Sequence, residues 1–487
     1  MGEQTLKRIQ ISFWIVISII IGLLIGIGDP IMMFVSLTII TLLGLALLHP
    51  SIAIGIMLVI APLRVLISTE SPISFPIDIG QMSLALVLVS WMLYILRKGK
   101  LVVLKPSILW IGIAFFVTVT AITAFSAISL TSWLTEWLKW VQVLVVVFII
   151  FNTAALHRWE WLVFGVVAAG LANALVGLYE FVGGSGAIHL LIEEITQWRV
   201  FRAFGTFGQP NPFGGFMGLV FPIAAMAALG YGYRLLKKPA HQQRIALVAN
   251  VGFYSMAAAI LLVALIASWS RGAWLSIFVS IGMMVIALPR RLFVSVGIII
   301  GIGSLVLLLS ASGRLPASIT NRISTITNEL SSTGDVRGVD VTPANYANVE
   351  RLAHWQAAVN IATAYPFLGA GFGNYDAAYA NYSLIYWEIS LGHAHNYYLN
   401  VLSETGMIGL AVYITLFAIV FLSTWQVRKH PDFAIRAIGI GLIGSWTYLL
   451  MHSLTDNLYV NNLFLHIAVL FALAALLQKQ LMNTSHG

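Results

Sequence analysis

The chain has 487 residues, 59% of them hydrophobic and only 9% charged, with a mean hydropathy of +0.92. Soluble domains carry about 25% charged residues, so this composition excludes an ordinary soluble protein. The absence of cysteine excludes disulfides and thiolate metal sites, and the net charge of +8 is scattered over short turns and forms no basic face, which argues against a nucleic-acid partner.

Apolar runs of roughly 18–25 residues, the length that spans a hydrocarbon core, recur along the whole chain. The first lies near 10–28, behind Lys7 and Arg8. No small-residue cleavage site follows it, so it reads as a retained first helix and not as a signal peptide. Further spans are expected near 31–48, 51–68, 79–96, 107–126, 133–151, 159–183, 212–231, 246–268, 272–288, 292–310, 404–425, 434–453 and 460–478. The pattern predicts an all-α polytopic membrane protein with about 12–14 transmembrane helices. Pro62 and Arg64 interrupt the run at 51–68, and 272–288 is short.

Basic residues set the expected orientation. With both termini cytoplasmic, alternate connections carry Arg97, Lys98, Lys100 and Lys105; Arg158; Arg234, Lys237, Lys238 and Arg244; Arg290 and Arg291; and Arg428, Lys429 and Arg436. With Lys7, Arg8 and Lys479 these are seventeen of the 26 Lys and Arg residues, the bias expected of cytoplasmic loops. The long polar connections fall on the other side, from Gly184 to Asn211 and from Ala311 to about Asn396. A structureless loop of the second length is rare, so it should have its own fold or line a site. Val349, Leu352, Trp355, Val359 and Ala362 recur at helical spacing, which predicts an amphipathic helix over 349–364 on or near the membrane surface. Tyr375, Tyr379, Tyr382, Tyr386 and Trp387 follow, rings that settle at the headgroup level or stack on sugars. The stretch 311–348 is rich in Ser, Thr, Asn and Gly and reads as mobile. Four segments result: N-terminal helices over 1–183, helices with two arginine motifs over 184–310, the loop over 311–396, and C-terminal helices over 397–487.

Three arginines stand on the non-cytoplasmic side against the charge bias. Arg202 precedes a span, Arg271 sits at a tight junction of two spans between Ser268, Ser270 and Gly272, and Arg351 opens the amphipathic helix. A guanidinium stays charged and offers paired donors, which suits phosphate recognition. Snorkelling to headgroups would also account for Arg202, and a solvated helix face for Arg351. GTFGQPNPFGG at 205–215 enters a helix, with Pro212 suited to its first turn and Asn211 able to cap it. Such a helix start favours anions, though a plain re-entry turn would look the same.

The stretch 391–410, LGHAHNYYLNVLSETGMIGL, gathers ionisable groups at a bilayer boundary, where they are costly and mark a functional site. Asn396, Asn400 and Glu404 follow the histidines at four-residue spacing and would share a stripe. His395 sits at the expected helix start, where the dipole disfavours imidazolium and leaves a neutral ring able to take a proton. A polar helix cap without catalysis is the plainer reading. Zinc on His393 and His395 is the other chemical option, but a spacing of two is no strong ligand pattern and no further Cys or His lies close in sequence, so no metal is expected. GAGFG at 369–373 follows no strand and reads as a turn after Pro366. Glu136 and Lys139, three apart, should neutralise each other.

RAFGTFGQPNPFGGF (202–216), SWSRGAWL (268–275), and RLAHWQAAVNIATAYPFLGAGFGNY (351–375) running on to HAHNYYLNVLSETGMIGL (393–410) together resemble the O-antigen ligase and O-antigen polymerase superfamily of bacterial membrane glycosyltransferases. The resemblance covers roughly residues 200–425; the first 180 match only as generic membrane helices. It implies a GT-C-like, metal-independent enzyme of the inner membrane, without a cofactor, facing the periplasm. Its donor would be a glycan on undecaprenyl diphosphate. A ligase moves that glycan to lipid A–core oligosaccharide; a polymerase extends another lipid-linked repeat. On the resemblance, His395 matches the essential histidine, Arg271 the arginine of the Ser-Arg-Gly motif, Arg202 the arginine before Gly-Thr-Phe-Gly, and Glu404 the acid before Thr-Gly.

The expected chemistry gives the diphosphate to Arg271 and Arg202 and the acceptor proton to His395, with His393, Arg351, Asn396, Asn400 and Glu404 binding or orienting the substrates. The ligase reading is favoured over the polymerase. A transporter of lipid-linked glycans would place charges deep in several spans or repeat broken helices between two halves. Here the charges sit mainly at span ends, and a scaffold would not need these histidines beside arginines.

Overall fold

A computed structural model describes residues 16, 18, 22, 30–70, 78–99, 106–184, 190–192, 199–237, 240–289, 292–313, 335–342 and 345–485. Among these the helices are α1 (Pro30–Leu48), α2 (Pro50–Ile60), α3 (Arg64–Glu70), α4 (Ile79–Lys98), α5 (Ile108–Ile122), α6 (Leu130–Asn152), α7 (Trp159–Phe181), α8 (Pro210–Leu236), α9 (His241–Ala267), α10 (Arg271–Ala287), α11 (Leu292–Ala311), α12 (Tyr346–Ala364), α13 (Tyr375–Tyr379), α14 (Tyr397–Val427), α15 (Phe433–His452) and α16 (Leu463–Ser485). Two three-residue strands, β1 (Leu190–Ile192) and β2 (Arg199–Phe201), pair antiparallel with Leu190 opposite Phe201.

The chain is an all-α polytopic membrane protein. Among the described residues ten helices are long and apolar enough to cross a bilayer: the run from α2 through α3, then α4 to α9, and α14 to α16. The span expected near 10–28 lies almost wholly outside the described residues. Those expected near 31–48, 272–288 and 292–310 are helical as α1, α10 and α11, but their apolar segments are shorter, at Leu37–Leu48, Arg271–Ala287 and Val296–Ser310. At about 1.5 Å per residue, α10 reaches only about 25 Å, less than the ~30 Å hydrocarbon core.

Helix α8 lies at the centre and packs along α9 and α15, while α10 packs on α15. Lipid supplies no hydrophobic drive between helices, so close approach and interhelical hydrogen bonds hold them. The α8–α15 seam uses both. Ser445 Oγ donates to the Leu219 carbonyl at 2.7 Å and Tyr448 Oη to the Gly214 carbonyl at 3.0 Å. Ser280 of α10 donates to the Gly444 carbonyl at 2.7 Å. At the basic ends of these helices Arg234 pairs with Asp432 at 2.7 Å. The expected pair Glu136 and Lys139 forms on α6.

The loop before α14 has its own fold where it is described. Ala357, Ala358 and Ile361 of α12 make a second small core with Ala370, Tyr375, Ala378, Tyr379 and Ala394. The buried face of α12 follows the expected stripe only in part. Val349 and Ala362 are buried, Leu352 and Trp355 are half-buried and Val359 is exposed, while Ala353, Ala357 and Ala358 are buried as well. Small side chains let α12 approach α14 closely and leave the bulky ones at the side. Most of the stretch 311–348 read as mobile lies outside the described residues.

The 366–375 turn is plugged into a kink of α14. Gly406 has φ 66° and ψ −170° inside an otherwise helical run, a backbone region open essentially to glycine alone. The Met407 N–H, freed by the kink, donates to the Pro366 carbonyl at 2.9 Å, and Ala370 N donates to the Ser403 carbonyl at 2.9 Å. Gly369 has φ 69°, and a Cβ there would sit 2.2 Å from the Glu404 carbonyl carbon. GAGFG is thus the expected turn, and it seats the first two turns of α14.

Candidate active site

His393 and His395 flank the fully buried Ala394, which anchors the segment in the small outer core. The backbone is fixed on both sides. Asn400 Oδ1 accepts from Ala394 N at 3.0 Å, and Tyr397 N donates to the Ser453 carbonyl at 2.7 Å. Asn396 is the N-cap of α14, its Oδ1 accepting from Tyr398 N and Leu399 N, as short polar residues do at helix starts. His395 itself has φ 51°, in the left-handed region that histidine enters more readily than most non-glycine residues.

This clamp sets both imidazoles against Asp456, in the turn between α15 and α16. Its Oδ1 lies 3.7 Å from His393 Nε2 and 3.7 Å from His395 Nδ1. It also accepts from Asn457 N at 2.8 Å. The tautomer of His393 follows from its neighbours. Its Nδ1 accepts from His395 N at 3.1 Å, so the proton of the neutral ring sits on Nε2, facing the carboxylate. Burial pushes His393 down to about 4, with the Arg351 charge adding to the effect, so the ring is neutral at physiological pH. Burial pushes the Asp456 carboxyl up, but the facing imidazoles outweigh it and hold the group well below the usual carboxylate range. Asp456 is therefore an anion that faces a nitrogen of each ring, at distances longer than a hydrogen bond. With Nδ1 of His395 turned to it, Nε2 is the nitrogen of that ring left to take a proton.

His354 of α12 closes the other side, its ring centre 5.9 Å from that of His395. It stacks on Tyr379 at 4.7 Å, and its Nδ1 lies 2.9 Å from the Tyr375 hydroxyl. Burial, with His395 and His393 nearby, pushes His354 down to about 4.

The three arginines sit in different places around this turn. Arg202 Nε donates to the Ser268 carbonyl at 3.0 Å, and its Nη2 reaches Asn211 Oδ1 at 3.4 Å and the Trp269 carbonyl at 3.5 Å. It thereby braces the α9–α10 junction from which Arg271 projects. Arg271 Nη2 donates to Asn348 Oδ1 on α12 at 3.3 Å. Gly272 abuts the Asp456 turn so closely that a Cβ would sit 2.3 Å from Thr455 Oγ1. Arg351, near the start of α12, acts on His393 through its charge. The structure brings His393 and His395 together, places Arg351 where its charge acts on His393, sets Arg271 against α12, and places Arg202 behind the junction.

Asn400 and Glu404 serve the backbone. Glu404 is buried and its Oε1 accepts from Tyr375 N at 3.2 Å, holding the turn after GAGFG. At the start of α8 the N-cap is Gln209, with Pro210 and Pro212 in the first turn. Asn211 is not the cap; its side chain is turned to Arg202. A cavity of about 340 Å³ opens between this helix start and His393, with Gln209, Pro212, Asn457 and Asn461 in its wall.

Sequence reasoning missed Asp456, His354 and Glu180. Asp456 lies in a turn of ten residues between α15 and α16, about sixty residues beyond the histidines. Its only signal was being the lone acid of that turn. Glu180 Oε2 accepts from Phe204 N at 3.0 Å and Gly205 N at 2.7 Å, and so holds the Gly-Thr-Phe-Gly turn after Arg202.

His393, His395 and Asp456 also offer three ligand atoms within 4.8 Å of one another, the third ligand that the sequence did not show. A metal on His393 Nε2 would need that nitrogen's lone pair, yet Nδ1 already uses one as an acceptor and the neutral ring has only one to give. In this arrangement His393 presents an N–H, and not a lone pair, toward Asp456.

A search of curated proteins finds no match. Residues 256–414 match the family model described as O-antigen ligase. The matched segment contains the Ser-Arg-Gly junction, α12, the GAGFG turn and both histidines, and ends inside α14. This match supports placing the chain in the O-antigen ligase superfamily.

Proposed function

We propose that the protein is an O-antigen ligase-type glycosyltransferase of a bacterial inner membrane. It moves a glycan from undecaprenyl diphosphate to a hydroxyl of lipid A–core oligosaccharide on the periplasmic face. The reaction forms a bond from the acceptor oxygen to the anomeric carbon and breaks the bond from that carbon to the diphosphate. The hydroxyl proton passes to His395 Nε2, and the lipid diphosphate leaves with the bonding electrons. Asp456 holds His395 by Nδ1 and stabilises the imidazolium that forms, and the neutral His393 fixes the carboxylate from its other side. Arg271 and Arg351 meet the charge growing on the diphosphate, with Arg202 bracing the junction. No metal is needed, because the arginines neutralise the leaving group and the carboxylate orients the base.

The observation that carries this reading is the Asp456 carboxylate facing Nδ1 of His395. The test is glycan attachment in the host cell. His395→Ala should lower transfer on the order of 10²–10⁴-fold, the contribution of a general base, with protein level unchanged. Arg271→Lys should also fail, because a point charge loses the planar fork. Unchanged attachment in His395→Ala contradicts the reading. A product extended on a lipid-linked repeat, with none on lipid A–core, moves the assignment to a polymerase.

A further inference from the structure

We propose that the outer flank of α12 is a binding subsite for neutral sugar residues of one of the two substrates. The inference rests on the glycosyl-transfer reading and adds where a saccharide is gripped. A cavity of about 400 Å³ opens there, lined among others by Trp355, Gln356 and Asn360 of α12, Leu399 of α14, and Asp335 and Arg337. It adjoins the candidate active site. Leu399 lies three residues after Asn396, about 4.5 Å along the helix, and Trp355 follows His354, whose ring faces His395.

The lining selects the ligand class. Asp335 and Arg337 pair with each other, Arg337 Nε lying 2.8 Å from Asp335 Oδ2, and among the described residues no other charged side chain lines the cavity. A diphosphate would find no unneutralised cation there and is better served by Arg271 and Arg351. A polyprenyl chain would have to bury two amides and an ion pair, which is costly. A pyranose offers apolar C–H faces for an indole and hydroxyls for amides, and it carries no charge. Trp355 is half-buried and lines the cavity, so its ring supplies the apolar surface that a sugar face would meet. The geometry of α12 gives the subsite its reason: the small face, Ala353, Ala357 and Ala358, packs inward, which leaves Trp355, Gln356 and Asn360 to face a ligand.

The sugar could belong to donor or acceptor, and the two are separable. Full-length protein in nanodiscs would be mixed with either of two soluble probes. One is the neutral oligosaccharide released by mild acid from the host's lipid-linked glycan; the other is deacylated core oligosaccharide. Saturation-transfer NMR reads binding without turnover, so the His395→Ala protein should bind as the wild type does even though it transfers nothing. Trp355→Ala should weaken binding roughly ten-fold or more, as the loss of an aromatic anchor does. Asn360→Trp, at an exposed position that cannot disturb a core, should fill the cavity and do the same. Binding of the released glycan assigns the donor's sugars to the subsite, and binding of the core assigns the acceptor's. The proposal is overturned if neither probe binds, or if Trp355→Ala and Asn360→Trp bind like the wild type.

Discussion

At the scale of single residues, the site is a matter of which nitrogen carries which proton. A backbone contact decides this for His393; for His395 it falls, in the proposed mechanism, to Asp456, which faces Nδ1. Asp456→Asn should keep the fold and lower the turnover rate on the order of 10²-fold, because an amide can present its N–H to Nδ1 and turn the wrong tautomer toward the acceptor. Steady-state kinetics on purified protein checks this, and a wild-type rate would show that the carboxylate is not needed. The buried rings also set an acid limit. His393 and His354 are held near 4 in the fold against 6.5 for a free ring. Between those values the unfolded chain binds more protons, so stability is full above about pH 6.5 and drains as pH falls toward 4. Thermal unfolding in detergent across that window should show the decline, and His354→Gln should flatten it. The histidines and arginines were legible in the sequence because each is an oddity at a bilayer boundary. Asp456 was not, because its partners lie about sixty residues away and only packing brings them together.

At the scale of elements, the kink of α14 is the device that positions the site. A straight helix of 31 residues would run about 46 Å. Gly406 breaks it where the 366–370 turn docks. Gly406→Ala should cost about 1–3 kcal/mol in backbone strain alone, with further cost because its Cβ would meet the Phe367 carbonyl at 2.2 Å. Gly282→Ala, with nothing within 4 Å, is the control and should change little. Melting temperatures of the two variants test this, and equal values would remove the kink from the account. Periodicity located α12 and caught part of its buried face, Val349 and Ala362, but not the alanines, because it weights large apolar residues. Packing against the 370–379 segment and Ala394 selects alanines there. The same logic hid Glu404 and Asn400, which a four-residue spacing presents as a stripe. Their partners, Tyr375 N and Ala394 N, are backbone groups that no spacing reveals.

At the scale of the whole molecule, the basic turns and the site lie at opposite ends of the helices that carry them. α8 begins beside the cavity and ends at Arg234; α14 begins at the histidines and ends before Arg428. Hydropathy and charge made this layout readable, since span length and Lys/Arg bias act along the sequence. Helix packing order was not readable, because small-residue seams such as α8–α15 carry little pattern. The chain has no cysteine, so single cysteines report topology cleanly. Tyr386→Cys, at a position 93% exposed in the loop before α14, should react with an impermeant maleimide on cells with a permeabilised outer membrane. Lys237→Cys should react only after the inner membrane is opened. The reverse pattern would turn the site to the cytoplasm and end the periplasmic assignment. The central claim, that His395 oriented by Asp456 takes the acceptor proton, is tested most directly by single-turnover transfer rates against pH for wild type and His395→Gln. The account requires the wild type to lose rate on acidification and the variant to be slower on the order of 10²–10⁴-fold, with that acid limb gone. A variant that transfers at the wild-type rate with the same pH profile would contradict it.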